Sequence, residues 1–229
     1  SSSSPSGSTS RCGSSSWAEG PARTGLASIV CERRLASMSA VPDPRRAFRD
    51  LEAWLEKTSE GTTGEIARGV YAMTPRPRPR HAAAEGALWA ELRSRYGQAG
   101  GSAAPEWCFI LEPELRHEPS FSRLVPDVAG WRRSTTGWPD PDVTPVERMP
   151  EWVAEVLPPS TAAFDRGHKS GAYGAMGISW LWLLDPDRLT VEVFENVRGQ
   201  MVQRSNWSDT QAIVAEPFAA TPIPVRSLF

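Results

Sequence analysis

The chain has 229 residues, 40% of them hydrophobic and 23% charged, and a net charge of −2. These values fit an ordinary globular chain long enough to build a core without metal or disulfide staples. They exclude a polycation that would bind nucleic acid through its overall charge. No apolar run reaches the ~18 residues of a membrane span.

The three cysteines, Cys12, Cys31 and Cys108, are odd in number. They form no CxxC pair and sit near no histidine at zinc-ligand spacing, so a reducing, cytoplasmic setting is expected. Residues 1–42 open the chain, and through about residue 37 they are rich in Ser and Gly. Such a segment buries too little apolar surface to offset its ordering entropy. It is expected to be disordered or foreign to the natural protein, with Met38 a candidate start. Residues 43–229 are read as a single domain.

Asp43-Pro44 reads as an N-cap followed by proline at the first helical position. Phe48, Leu51, Trp54 and Leu55 continue as an amphipathic stripe. Gly64 to Thr74 suits a hairpin turning at Gly69. The run Pro75 to Arg80 is an extended loop, because each proline disfavours helix in the residue before it. A helix is expected over His81 to Tyr96, with His81, Glu85, Leu88 and Leu92 on one face. Strands are expected at Trp107–Leu111, Val125–Trp131 and Trp152–Leu157, the last two separated by a proline-rich loop. A second long helix follows over Thr161 to Met176. Ile178–Leu184 is a continuous apolar run suited to a strand buried on both faces. Leu189–Glu195 alternates as a half-buried strand does, and one or two short strands end the chain. Strands interleaved with two long helices predict an α/β (α+β) fold with a mixed sheet flanked by helices.

Two acids interrupt apolar strand faces. Side chains two apart share a face, so Glu155 lies with Val153 and Leu157, and Asp127 with Val125 and Ala129. An ionised carboxylate there is costly unless it is paired or binds a cation; an edge position in solvent is the competing reading. On the following helix Asp165, Lys169 and Tyr173 share one face. A solvated Asp–Lys pair, worth only about 0.3–0.5 kcal/mol, is the bland explanation. The few residues between the Glu155 strand and this helix favour a shared site. Two carboxylates and a lysine suit phosphodiester hydrolysis, in which a hard divalent ion polarises the phosphoryl oxygen and lowers the pKa of a bound water.

At these residues the sequence resembles the Uma-type restriction-endonuclease family of the PD-(D/E)xK nuclease-like superfamily. The matching pieces are GEIARGVYAMTP at Gly64–Pro75, His81, LVPDVAGW at Leu124–Trp131, EVLPPST at Glu155–Thr161, Asp165-Arg166, Lys169, Tyr173, and WLLDP at Trp182–Pro186. The resemblance implies a restriction-endonuclease-like core, Asp127 and Glu155 as metal ligands, and Lys169 as the motif lysine. The superfamily usually carries that lysine two residues after the glutamate, where this chain has Leu157. Relatives usually carry serine where this chain has Pro159.

Further candidates for the metal or its surroundings are Glu65, His81, Glu85 and Glu114, with Asp165 and Tyr173 supporting Lys169. A solvated salt bridge competes for Glu65 and a satisfied core histidine for His81. Arg76, Arg78, Arg80, Arg132 and Arg133 are the candidate phosphate contacts. The tryptophans on the predicted strands (Trp131, Trp152, Trp180 and Trp182) are expected to pack in the core rather than stack on bases. The leading expectation is a Mg²⁺- or Mn²⁺-dependent endonuclease acting on DNA, with a symmetric homodimer as the default assembly. The alternative is a catalytically inactive module on the same fold that binds nucleic acid or protein.

Overall fold

The computed structural model describes residues 43–58, 62–75, 78–97, 105–157 and 162–229. The N-terminal segment 1–42, the predicted phosphate contact Arg76, and Pro159 lie outside these residues.

Helix α1 (Pro44–Thr58) starts as its sequence requires: the Arg45 N–H donates to Asp43 Oδ1 at 3.1 Å. Phe48 and Leu55 are buried under it, while Trp54 stays exposed against Tyr71. Strands β1 (Thr62–Ala67) and β2 (Val70–Pro75) form the expected hairpin. Its two turn residues, Arg68 and Gly69, have φ of 52° and 78°. This is the left-handed pairing that matches the twist of a two-residue hairpin, and Gly69 adopts it without steric cost. Helix α2 (Pro79–Tyr96) starts two residues before the expected His81 and buries Glu85, Leu88 and Leu92 of the expected stripe, with Ala84 beside them and His81 half-buried.

The next strands are β3 (Trp107–Leu111), β4 (Leu115–His117), β5 (Ser122–Leu124), β6 (Val128–Arg132) and β7 (Trp152–Val156). The strand expected over Val125–Trp131 begins only at Val128, and Val125–Asp127 connect it to β5. Pro126 has no N–H for a ladder, and the chain uses this break to pass from one sheet to another. β5 belongs to a four-stranded sheet ordered β2-β1-β5-β4. β6 belongs to the six-stranded sheet, which also holds β8 (Trp180–Asp185), β9 (Thr190–Val197) and β10 (Gln200–Ser208) in the order β10-β9-β8-β7-β6-β3. β7 and β8 run parallel and its other pairs are antiparallel, so the sheet is mixed. Strands β11 (Ala212–Ile213) and β12 (Ile223–Pro224) close the chain.

The helix expected from Thr161 to Met176 is interrupted. A short α3 (Ala162–Phe164) leads into a π-turn at Asp165–Lys169, and α4 (Ser170–Ala175) follows. Gly167, Gly171 and Gly174 weaken regular α-helix here, each by about 1 kcal/mol relative to alanine. The wider turn carries Asp165 and Lys169 inward together, and both are buried.

The six-stranded sheet separates two apolar layers. Trp152, Ala154, Val156 and Trp182 face α2 and the C-terminal segment. Val153, Leu157, Leu181 and Leu183 face α4 and the hairpin. Trp131, Trp152 and Trp182 are fully buried, as expected of core residues. Among the described residues, no helix is long and apolar enough to cross a membrane.

Helix α4 lies close against the β9–β10 turn: a Cβ placed on Gly174 would stand 2.5 Å from the Gly199 carbonyl oxygen, whereas one on Gly86 in α2 would meet nothing within 4 Å. Gly174→Ala is therefore expected to destabilise the protein by about 1–3 kcal/mol. Gly86→Ala should stabilise it by up to about 1 kcal/mol. Urea unfolding midpoints of the two variants provide the comparison.

Candidate active site

Three parts of the chain bring acids to one end of β7. Asp127 sits one residue beyond the last ladder pair, Val128 with Ala154, which puts it across from Glu155. It stands at the crossing between the sheets rather than inside a strand, and its Oδ2 accepts the Val156 N–H at 2.6 Å. Glu155 lies on the same face as Val153, as the two-residue period requires. The third contribution, Glu65, comes from the hairpin, and its Oε1 accepts the Val125 N–H at 2.8 Å.

Lys169 fills the space between them. Its Nζ lies 2.7 Å from Glu155 Oε1, 2.9 Å from Glu65 Oε1 and 4.0 Å from Asp165 Oδ1. The Tyr173 hydroxyl donates to the same Glu155 oxygen. Lys169, Glu65, Glu155 and Asp165 are each at most 4% exposed. Burial opposes the charge on Lys169, but the carboxylates of Glu155, Glu65 and Asp165 override it and hold the ammonium well above its usual pKa. Burial pushes Glu155 up; Lys169 opposes this, and Asp127, Asp165 and Glu65 add to it. Tyr173 is raised by burial and by the charges of Glu155 and Glu65. The lysine two residues past the glutamate in the resembled motif is Leu157 here, and Leu157 packs in the apolar layer.

A second group adjoins the first through Asp127. His81 and Glu85 lie one turn apart on α2, and His81 Nε2 is 3.3 Å from Asp127 Oδ2. Ligand atoms of His81, Glu85 and Asp127 all lie within 4.8 Å of one another. Burial alone would lower the His81 pKa, but the hydrogen bond and charge of Asp127, with Glu85, raise it above 6.5. Burial, then Asp127 and Glu112, push Glu85 up to about 7. His81 Nδ1 is buried.

The donor set fits a divalent ion. Carboxylates are ordinary ligands for Mg²⁺ and Mn²⁺, and the crowded acids hold more negative charge than Lys169 and His81 offset. Asp127, Glu85 and His81 would hold such an ion, with Glu155 beside them.

The structure thus brings together Asp127, Glu155, Lys169, Glu65, His81, Glu85, Asp165 and Tyr173. Glu114 is instead paired with Arg123. Glu112 is the acid after β3 that lies near Glu85, and its N–H donates to the Asp127 carbonyl at 3.0 Å. The antiparallel pairing of β3 with β6 was the signal for it, since Leu111 faces Val128. Arg132 and Arg133 lie at the far end of β6 from Asp127. Arg132 pairs with Glu151 at 3.2 Å, and Arg133 stacks on Trp138 at 4.5 Å. Arg80 pairs with Asp187 at 2.7 Å, and Arg78 is exposed at the start of α2.

Residues 48–224 match the Uma2 family model, described as "Putative restriction endonuclease". Among solved structures, the chain resembles the "putative nuclease belonging to DUF820" from Anabaena variabilis ATCC 29413, with 19% identity and a TM-score of 0.59. The match covers 78% of this chain and 96% of that one, and at this identity it establishes the fold. No curated protein matches the chain.

The acids and the lysine set two stability tests. Below pH 4.5 Glu85 is protonated in both folded and unfolded protein; between there and about 7 the unfolded chain gives up the proton first. The folded state then binds more protons, so stability falls as pH rises through this window. Glu85→Gln should leave the unfolding midpoint nearly unchanged at pH 4.5 and raise it at pH 8, as followed by circular dichroism. Lys169→Met leaves buried acids without their cation and should cost about 3–5 kcal/mol, measured by urea denaturation at pH 7.

Proposed function

The chain belongs to the Uma2 family of restriction-endonuclease-like proteins, and from that premise we propose that it is an endonuclease. It hydrolyses phosphodiester bonds, with DNA as substrate and Mg²⁺ or Mn²⁺ as cofactor. The observation carrying this reading is the meeting of Asp127, Glu155 and Lys169 at the crossing of the two sheets. The Val156 amide ties Asp127 to β7 at 2.6 Å, and Lys169 is 2.7 Å from Glu155.

Asp127 is the central ligand, because it stands between the His81–Glu85 pair and the Glu155–Lys169 pair. Glu155 serves the ion from the neighbouring strand and holds the Lys169 ammonium. The bound ion supplies Lewis-acid polarisation of a phosphoryl oxygen and a water of lowered pKa. Lys169 carries the positive charge that the growing phosphorane charge requires, from a dry site where such charge acts strongly. Glu65 and Asp165 keep that ammonium charged, and Tyr173 orients Glu155. The substrate phosphate approaches over the rim near the start of α2, where exposed Arg78, and Arg80 once it exchanges Asp187 for phosphate, offer positive charge. Arg132 and Arg133, at the opposite end of β6, are left out of this contact surface.

One observation favours the inactive-module reading. Lys169 is only 3% exposed and fully engaged by carboxylates, which also suits a purely structural ion pair.

Supercoiled plasmid incubated with the purified protein and Mn²⁺ or Mg²⁺ separates the two. Nicking is expected from the wild type. Asp127→Ala should lower the rate by at least ~10³-fold, and Lys169→Met by ~10²–10⁴-fold, the range of one positioned catalytic group. Equal nicking by all three proteins, or by none, favours the inactive module.

A further inference from the structure

We infer that the ion site is built around the imidazole of His81, so that it selects a transition-metal ion of the Mn²⁺ class over Mg²⁺. This rests on the metal-dependent reading above and deepens it by naming the ion and the ligand that selects it.

The position of the ring is the first reason. His81 Nε2 and Asp127 Oδ2 are 3.3 Å apart, close to the roughly 3.0 Å that separates neighbouring ligands on an octahedral ion of this size. Glu85 follows His81 by four residues on α2, so one helix presents both donors on the same face. The full set within 4.8 Å needs only a small contraction to close on one ion. Among the described residues, this is the group of His, Cys, Asp and Glu side chains whose ligand atoms converge in this way.

The second reason is how the ring is held. Its Nε2 faces Asp127, and the Val156 backbone lies within hydrogen-bonding reach of the imidazole. A histidine that ligates an ion through one nitrogen commonly turns the other toward a backbone carbonyl or a carboxylate, and this ring sits beside one of each.

The third reason is competition on the other side. Glu155 Oε1 already receives Lys169 and the Tyr173 hydroxyl. That engagement draws the ion toward α2, where a nitrogen donor awaits it. Mg²⁺ takes oxygen ligands and gives up its waters reluctantly. Mn²⁺ also favours oxygen and is the weakest first-row ion for a nitrogen donor. Yet as a transition-metal ion it accepts one imidazole among carboxylates more readily than Mg²⁺ does, so His81 adds more to the binding of Mn²⁺ than to that of Mg²⁺.

Two measurements on the purified protein, without nucleic acid, test this. Isothermal titration should find Mn²⁺ bound at least about tenfold more tightly than Mg²⁺. Electron spin echo spectra of bound Mn²⁺ in the wild type should carry ¹⁴N modulation from imidazole. His81→Gln exchanges the nitrogen for a carbonyl oxygen; it should lose the modulation and the tenfold preference while keeping Mg²⁺ affinity within about threefold. The wild-type spectrum decides the question even if this variant does not fold. Mn²⁺ bound without ¹⁴N modulation overturns the assignment to His81 and leaves the endonuclease reading intact. Mn²⁺ binding that survives Asp127→Ala also overturns it, since the ion then sits elsewhere. Absence of any Mn²⁺ or Mg²⁺ binding overturns both readings together.

Discussion

One buried ammonium ties the four-stranded sheet to the six-stranded sheet. Lys169 reaches Glu65 on the four-stranded sheet and Glu155 on the six-stranded sheet, from a π-turn that belongs to neither. Transferring such charges out of water costs several kcal/mol apiece, and the cost is recovered only when each charge is closely met. The arrangement therefore tolerates little slippage: moving the hairpin, the end of β7 or the π-turn separates an acid from the ammonium it meets. Asp165 and Lys169, four residues apart, both point inward from the π-turn, and the glycines around them lower the cost of leaving regular α-helix.

The charge balance is the step from fold to chemistry. Lys169 and His81 stand among Glu65, Glu85, Asp127, Glu155 and Asp165, so negative charge is in excess. Burial, and after it the charges of Asp127 and Glu112, push Glu85 up to about 7. A protein designed only for stability would favour apolar residues in these places. Keeping the acids close together makes sense where a divalent cation completes them. Asp127 is the pivot because Pro126 breaks the strand just before it, leaving its carboxylate free to reach both α2 and β7.

Much of this was legible in the sequence where local physics decides the outcome. The hairpin turn at Gly69, the start of α1 at Asp43-Pro44, the apolar stripe of α2 and the buried run of β8 follow from turn chemistry and periodicity. The orientation of Glu155 also followed from alternation alone. What escaped was set by tertiary contact. Alternation carried the Asp127 strand through Pro126, although the chain changes sheets there. The helix after Glu155 was read as continuous because its spacing is helical, and nothing local marks a π-turn. β10 (Gln200–Ser208) is largely exposed and lacks clear alternation, so its nine residues were expected only as a short strand. Glu114 was the acid expected near the ion, but the pairing of β3 with β6 sets Glu112 beside Asp127 and Arg123 claims Glu114. The arginines divide for a similar reason: composition records their number, whereas Arg78 and Arg80 stand at the start of α2 with His81 and Arg132 and Arg133 belong to the end of the sheet remote from the acids.

The central claim is that the acids at the sheet crossing hold one divalent ion through Asp127. The most direct measurement is anomalous scattering at the manganese edge from crystals soaked in Mn²⁺. The account expects one strong peak within roughly 2.5 Å of an Asp127 carboxylate oxygen, on the side facing His81 and Glu85, with Lys169 still near Glu155. Crystals that show no peak at Asp127 under saturating Mn²⁺, with these side chains unmoved, would contradict it.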